Sequence, residues 1–308
     1  MKKYISLFLK GMGMGAANVV PGVSGGTIAL ITGIFEKLID SIKAFDLTAI
    51  KYIFKGKFRA FAEHINLDFL VAVFAGVAIS IISIARLFGF LLDNYPVYIM
   101  SFFFGLILAS IYFVGKTVEK WTISVWISFI IGTIIAIALS VLKPAQENSS
   151  LIYLFICGIV ATCSMILPGL SGSFVLILMG NYQLVMIHAV NDLNLKILLP
   201  VVIGAVVGLL LFSNILSWVF KKFRNQTISI LTGFILGSLG IIWPWKEELN
   251  ATTAAGDLIL KNGEPIVEGY KWLMPQHFSS EVILAIIFVI LGILIIWGAE
   301  TLASKHSN

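Results

Sequence analysis

The sequence is short of charge. Of 308 residues, 21 are Lys or Arg and 16 are Asp or Glu, 12% together. An ordinary soluble domain has about a quarter of its residues charged, so that class is excluded. With 59% hydrophobic residues and a mean hydropathy of +1.00, the chain reads as an all-α polytopic membrane protein. The net charge of +5 does not indicate nucleic-acid binding, because the basic residues fall in loops where membrane orientation accounts for them. Cysteine is almost absent. Cys157 and Cys163 lie in apolar sequence without His or Cys at metal spacing, so they read as small core residues, with neither disulfide nor metal. Catalytic fingerprints are missing as well. There is no Gly-rich loop ending in Gly-Lys-Ser or Gly-Lys-Thr, no His-Glu-x-x-His and no cofactor fingerprint.

What is present is a helix break inside apolar sequence, Pro21-Gly22-Val23-Ser24-Gly25-Gly26-Thr27. Proline removes a donor and glycine loosens the chain, so a helix stops here. In lipid each unpaired backbone group costs about several kcal/mol, and such a break is tolerated only against protein or a wet cavity. Its N–H groups and the Ser24 and Thr27 hydroxyls suit an anion. A twin, Pro168-Gly169-Leu170-Ser171-Gly172-Ser173, stands 147 positions on. Paired breaks in two halves of a membrane protein point to a transporter's binding site.

The halves match beyond the breaks. Gly105-Leu106-Ile107-Leu108-Ala109-Ser110 aligns with Gly233-Phe234-Ile235-Leu236-Gly237-Ser238, and Gly76 with Gly204, at an offset of 128. The expected domains are residues 1–150 and 151–308. The first has a re-entrant helical hairpin over 4–42 and spans at 68–92, 96–115 and 121–142. The second has a hairpin over 151–190 and spans at 197–219, 226–243 and 281–299. The arms of each hairpin, 4–20 with 27–42 and 151–167 with 173–190, are short for a full crossing of about 20 residues. Lys2 and Lys3 before an apolar run resemble a signal peptide, but Gly11, Gly13 and Gly15 interrupt that run, so it reads as part of the fold.

A hairpin plus three spans crosses the membrane an odd number of times, so the repeats are inverted. With the N-terminus inside, fifteen Lys and Arg fall inside and five outside (Lys143, Lys196, Lys246, Lys261 and Lys271), with Arg86 alone within a span. This bias places both termini in the cytoplasm. The loop 46–66, which interleaves Lys51, Lys55, Lys57 and Arg59 with aromatics, suits anionic headgroups. Trp243, Trp245 and Trp272 near the 244–280 loop read as interfacial anchors.

Inverted repeats bring Ser24, Gly25, Gly26 and Thr27 opposite Ser171, Gly172 and Ser173. These are the candidate phosphate-binding residues. Arg86 joins them, because a guanidinium inside a span is costly and its fork fits a phosphate; the plainer reading is snorkelling to the interface. Glu36 and Asp40, one helical turn apart, are candidates for proton or cation coupling. The plainer reading is a solvated helix end beside Lys37 and Lys43. The second repeat has Gln183 and Ile187 at the aligned positions. Asn18, Asn181, Gln183 and His188 are weaker candidates.

The run Gly11-Met12-Gly13-Met14-Gly15-Ala16-Ala17-Asn18-Val19-Val20-Pro21-Gly22-Val23-Ser24-Gly25-Gly26-Thr27, then Gly33-Ile34-Phe35-Glu36 and the second Pro-Gly-x-Ser-Gly, resembles the signature of the PopT-type polyprenyl-phosphate translocases. This resemblance covers nearly the whole chain. It implies a flippase of the bacterial plasma membrane that returns undecaprenyl phosphate from the outer to the inner leaflet, recycling the carrier for peptidoglycan and other envelope polymers. The partners implied are this lipid and the bilayer; no cofactor is implied beyond H⁺ or Na⁺ as a coupling ion. The break also resembles the Pro-Gly-x-Ser-Arg-Ser motif of the integral-membrane undecaprenyl-pyrophosphate phosphatases. Here Gly25 replaces the Arg and Gly26 the second Ser, and Gly172 replaces the Arg in the twin, which argues against hydrolysis. A lipid-pyrophosphate phosphatase and a small-anion transporter are the alternatives.

Overall fold

The computed structural model describes residues 2–19, 24–142, 145–250, 260–261, 264–265, 267–275 and 277–305. Pro21 and Gly22 of the first break and Lys143 lie outside the described residues, as does the side chain of Arg86.

The first half opens with α1 (Lys2–Val19), α2 (Gly25–Ile31) and α3 (Phe35–Lys43). Two short helices, α4 (Leu47–Phe54) and α5 (Phe58–His64), occupy the expected loop. Then come α6 (Leu67–Asn94), α7 (Pro96–Lys116) and α8 (Ile123–Val141). The second half has α9 (Leu151–Ile166), α10 (Gly172–Leu178), a π-helical turn over Gln183–His188 and α11 (Ala189–Asn191). It continues with α12 (Leu195–Lys222), α13 (Arg224–Ser238) and α14 (Ser280–Lys305). The protein is an all-α polytopic membrane protein. Among the described residues, α7, α8, α12 and residues 280–298 of α14 are long and apolar enough to cross a bilayer, and α5 with residues 67–83 of α6, bent by 66° at their break, passes the same test only when taken as one broken span.

Three boundaries differ from expectation. The second arms, expected as single helices over 27–42 and 173–190, are each broken again. Gly33 (φ 70°) and Gly180 (φ 71°) adopt left-handed backbone, which costs an L side chain about 1–2 kcal/mol. Each break closes with the same three bonds. Thr32, Gly33 and Ile34 donate to the carbonyls of Ile28, Leu30 and Ala29; Met179, Gly180 and Asn181 donate to those of Val175, Ile177 and Leu176. This satisfies the last carbonyls of α2 and α10 before the chain turns. Secondly, α13 stops at Ser238 rather than 243, ahead of Gly240 and Pro244, which disfavour helix. Thirdly, the 244–280 loop is not featureless. β1 (Lys246–Asn250) pairs antiparallel with β4 (Val267–Trp272), and β2 (Leu260–Lys261) with β3 (Glu264–Pro265). The indoles bind protein here: Trp243 Nε1 donates to the Leu273 carbonyl and Trp272 Nε1 to that of Gly240.

Helices pair through glycines that let backbones touch. α1 lies on α6, with Gly11 against the Val73 carbonyl and Gly76 against that of Phe8. α9 lies on α12, with Gly158 against the Val201 carbonyl and Gly204 against that of Phe155. A Cβ at any of these would collide with the facing oxygen. The outer spans pair across the halves. In α7 against α14, Gly105 meets Val289 and Gly292 meets Phe102; in α13 against α8, Gly233 meets Phe129 and Gly132 meets Ile230. Small residues at helix contacts are how membrane helices gain packing where lipid offers no hydrophobic drive.

Candidate functional site

The two breaks meet at the interface between the halves. Ser24 caps α2, its Oγ accepting from Gly26 N–H at 3.1 Å. The same hydroxyl lies 3.4 Å from the carbonyls of both Met165 and Leu167, a long, shared donation. Thr27 is fully buried, and its Oγ1 accepts from Gly169 N–H at 2.9 Å. A Cβ on Gly26 would come within 2.6 Å of the Ile166 carbonyl. The first tip is thus fastened to residues 165–169 of the second half, just ahead of Ser171. Ser171 and Ser173 pair with each other, their hydroxyls 2.8 Å apart, and Ser171 makes no side-chain cap to α10.

The expected phosphate residues therefore divide. Gly25 and Gly26 line a groove of about 800 Å³ between the halves. Ser24 and Thr27 are buried in the tip-to-tip contact. The Gly25 N–H is satisfied by Asn18 Oδ1 at 2.7 Å, so the first donors of α2 are already paired within the protein. Asn18 itself is exposed and lines the groove. It ranked as a weak candidate because its sequence neighbours give no hint that it folds back onto residue 25.

The remaining groove walls are nearly all apolar. Phe35, Leu38, Ile39 and Ile42 come from α3; Leu70 and Phe74 from α6; Ile166 and Leu209 from α9 and α12. Val71, Phe74, Met165 and Val206 leave about half their surface uncovered, so the groove opens sideways, between helices.

α3 is two-sided because its residues alternate at helical spacing. Its other face carries Glu36, Asp40 and Lys43. Glu36 and Asp40 do share a face, and their partners come from the second half. Arg224 Nη1 lies 2.6 Å from Glu36 Oε1. Ser217 Oγ donates to Asp40 Oδ1 at 2.7 Å, and Lys221 Nζ lies 3.4 Å from the same oxygen. These side chains, with Ile39 and Phe220, line a second cavity of about 170 Å³. Lys43 Nζ donates to Ser217 Oγ at 3.4 Å, whereas Lys37 lies over the Phe69 ring. Lys221 and Arg224 are among the fifteen inside charges, and nothing local in the sequence links them to residue 36. Lys10 is another of the fifteen inside charges. It lies within α1 and donates to the Thr32 carbonyl at 2.7 Å.

The second hairpin has a different fastening. Asn181 is fully buried, donates to the Asn148 carbonyl at 2.8 Å and accepts from Asn148 N–H at 2.9 Å. Tyr153 donates to the Met179 carbonyl at 2.9 Å. Gln183, in the π turn, keeps a buried Oε1 without a hydrogen-bond partner among the described residues. Among the described residues no three of His, Cys, Asp and Glu gather as a metal site.

The sequence model of a family described as undecaprenyl phosphate translocase-like matches residues 14–259. A protein of Vibrio cholerae serotype O1 named polyprenyl-phosphate transporter is 41% identical over 306 residues, 98% of each chain. One of Staphylococcus aureus with the same name is 32% identical over 259 residues, 79% of this chain and 87% of the relative. No solved structure matches. A match spanning most of the residues that build the tips and the groove, together with near full-length relatives, places this chain in the undecaprenyl phosphate translocase-like family.

Proposed function

We propose that this protein is a transporter that carries undecaprenyl phosphate from the outer to the inner leaflet of the plasma membrane, with no covalent step. The observation that carries this reading is the apolar, sideways-open groove that reaches the first break at Gly25 and Gly26. A lipid phosphate has an apolar tail that can stay in such a groove while only the head needs shelter. A small anion would have no use for apolar walls of this extent. Hydrolysis is disfavoured because Gly25 stands where the related phosphatases carry Arg.

In this reading the Asn18 amide, which holds the Gly25 N–H, meets the head group, and the absence of side chains at Gly25 and Gly26 leaves room for it. Ser24 and Thr27 hold the tip in position. Ser171, Gly172, Ser173 and Arg86 serve the head group from the facing repeat and from α6. The repeats are inverted, with both termini cytoplasmic. The recurrence of the Gly33 cap at Gly180, and of the glycine contacts of α1 with α6 in α9 with α12, supports the duplication.

The head group carries about −1.5 to −2 charges. Moving it inward against an inside-negative potential costs about 2.3 kcal/mol per charge per 100 mV, or about 3.5–4.6 kcal/mol in all. Glu36 and Asp40 offset this by taking up H⁺ or Na⁺. A phosphate-release assay with undecaprenyl pyrophosphate tests the reaction class. The expected result is no turnover above empty vesicles; robust release that depends on Ser24 contradicts the transporter reading.

A further inference from the structure

The cavity behind α3 is a second feature that the groove does not explain. One guanidinium (Arg224), two ammonium groups (Lys43 and Lys221) and one hydroxyl (Ser217) gather round or beside about 170 Å³ of space. Two carboxylates face them, so the cluster has one positive charge in excess. Glu36 takes the guanidinium at 2.6 Å, and Asp40 takes the Ser217 hydroxyl at 2.7 Å and Lys221 at 3.4 Å. Each carboxylate makes these contacts through a single oxygen.

Stability alone is a weak reason for this arrangement. The four ion-pair members are 45–65% exposed, and pairs of that kind stabilise a fold little. Ligand binding accounts for it better. A guanidinium fork, ammonium groups and a hydroxyl are the donors that recognise a phosphate monoester. A carboxylate is a smaller anion that fits the same donors. Ile39, buried on α3, stands between this cavity and the apolar groove, so the two seats lie on either side of one helix.

We propose that Lys43, Ser217, Lys221 and Arg224 form a phosphate-monoester site, whose donors Glu36 and Asp40 occupy until the ligand displaces them. This rests on the transport reading above and adds a second seat for the head group, apart from the tips. Displacement frees two carboxylates, so phosphate binding and cation uptake at Glu36 and Asp40 become linked.

The test is equilibrium binding to the purified full-length chain in detergent, with farnesyl phosphate, farnesol and inorganic phosphate as probes. Variants are compared only when monodisperse and unfolding at the wild-type temperature. Arg224→Gln and Lys221→Gln are expected to weaken farnesyl phosphate binding about tenfold each, and Arg224→Lys by less. Glu36→Gln and Asp40→Asn, which remove the competing anions, are expected to tighten it by about threefold or more. These opposite signs are the signature, since purely structural ion pairs would respond alike from either side. Weakening by both sets, or no change in either, overturns the site. If Arg224→Gln does not fold, Lys221→Gln and Ser217→Ala carry the test, because both leave the Glu36–Arg224 pair intact. Farnesol is expected not to bind at this site. Inorganic phosphate binding as tightly as farnesyl phosphate assigns the site to free phosphate and overturns the lipid assignment. If vesicles fail to transport polyprenyl phosphate while the opposite signs appear, the transport reading falls and the phosphate site stands.

Discussion

The two hairpins share one plan and differ in what holds them. Each breaks at its tip, runs seven residues as a helix and turns again at a left-handed glycine, Gly33 or Gly180, with the same three backbone bonds. Beyond that turn they part. The first continues as α3, apolar toward the groove and charged toward Ser217, Lys221 and Arg224. The second continues as a π turn with Gln183 and is clamped by Asn181 to the segment before α9. The shared part fixes the frame. The acidic pair belongs to the first hairpin, while its cationic partners and part of the groove wall come from the second half. Two segments can keep the same packing while only one of them carries the polar chemistry.

The largest expected effect comes from breaking the frame, and it should be equal on both sides. Overpacking usually costs about 1–3 kcal/mol, and more where nothing can yield. Gly11→Leu and Gly158→Leu each drive a side chain into a backbone carbonyl. Both are expected to abolish recovery of monodisperse protein. Loss in one half only would break the idea of a common frame.

Next come the hairpins' separate fastenings. Arg224→Gln is expected to lower lipid transport about tenfold in folded protein, whereas Gln183→Ala changes it by less than about twofold. Asn181→Ala removes a buried two-way clamp and is expected to cost about 1–3 kcal/mol of stability, with the transport of the folded fraction retained. Vesicle uptake and thermal unfolding, measured on the same preparations, separate these outcomes. Equal transport losses in both hairpins would show that the polar work is divided between them.

The tips give a smaller contrast. Thr27→Val leaves the Gly169 N–H buried without its acceptor, at a cost of about 1–3 kcal/mol. Ser24→Ala loses a helix cap, worth about 1 kcal/mol. Ser171→Ala, where the hydroxyl caps nothing, should stay within about 0.5 kcal/mol of wild type. Unfolding curves rank the three.

The smallest effect lies outside the spans. Slight burial raises the Asp46 carboxyl, but bonds from Ala49 N–H, the His64 ring and Thr48 N–H outweigh it and hold the group below its usual value. A depressed carboxylate stabilises the fold above its unfolded pKa, about 3.9, and that contribution is lost as pH falls through the folded value. Wild type should therefore lose a small increment of stability below about pH 4 that Asp46→Asn does not show. A loss between pH 5 and 8 would contradict this origin.

Much of the frame was legible because local residue types dictate it. Apolar length, paired Pro-Gly breaks and a constant offset are all one-dimensional signals. The second breaks were legible too, since Gly33 and Gly180 stand at the same 147 offset as the tips, though a lone glycine in an apolar run is easily absorbed into a helix. The partners of Glu36 and Asp40 were not legible. Arg224, Lys221 and Ser217 lie about 180 residues away, and only tertiary packing brings them to α3. The same holds for Thr27, whose hydroxyl suggested a ligand contact and instead joins the two tips. The π turn at Gln183–His188 has no period of its own in the sequence, and the short strands of the 246–272 region carry no clear alternation.

The central claim is tested most directly by leaflet-resolved uptake of a labelled polyprenyl phosphate into vesicles holding the purified chain. The account predicts faster appearance of the lipid phosphate in the far leaflet than in empty vesicles, no acceleration of the matching alcohol, and loss of the effect in Arg224→Gln. Uptake equal to that of empty vesicles, in protein that is folded and inserted, would contradict it.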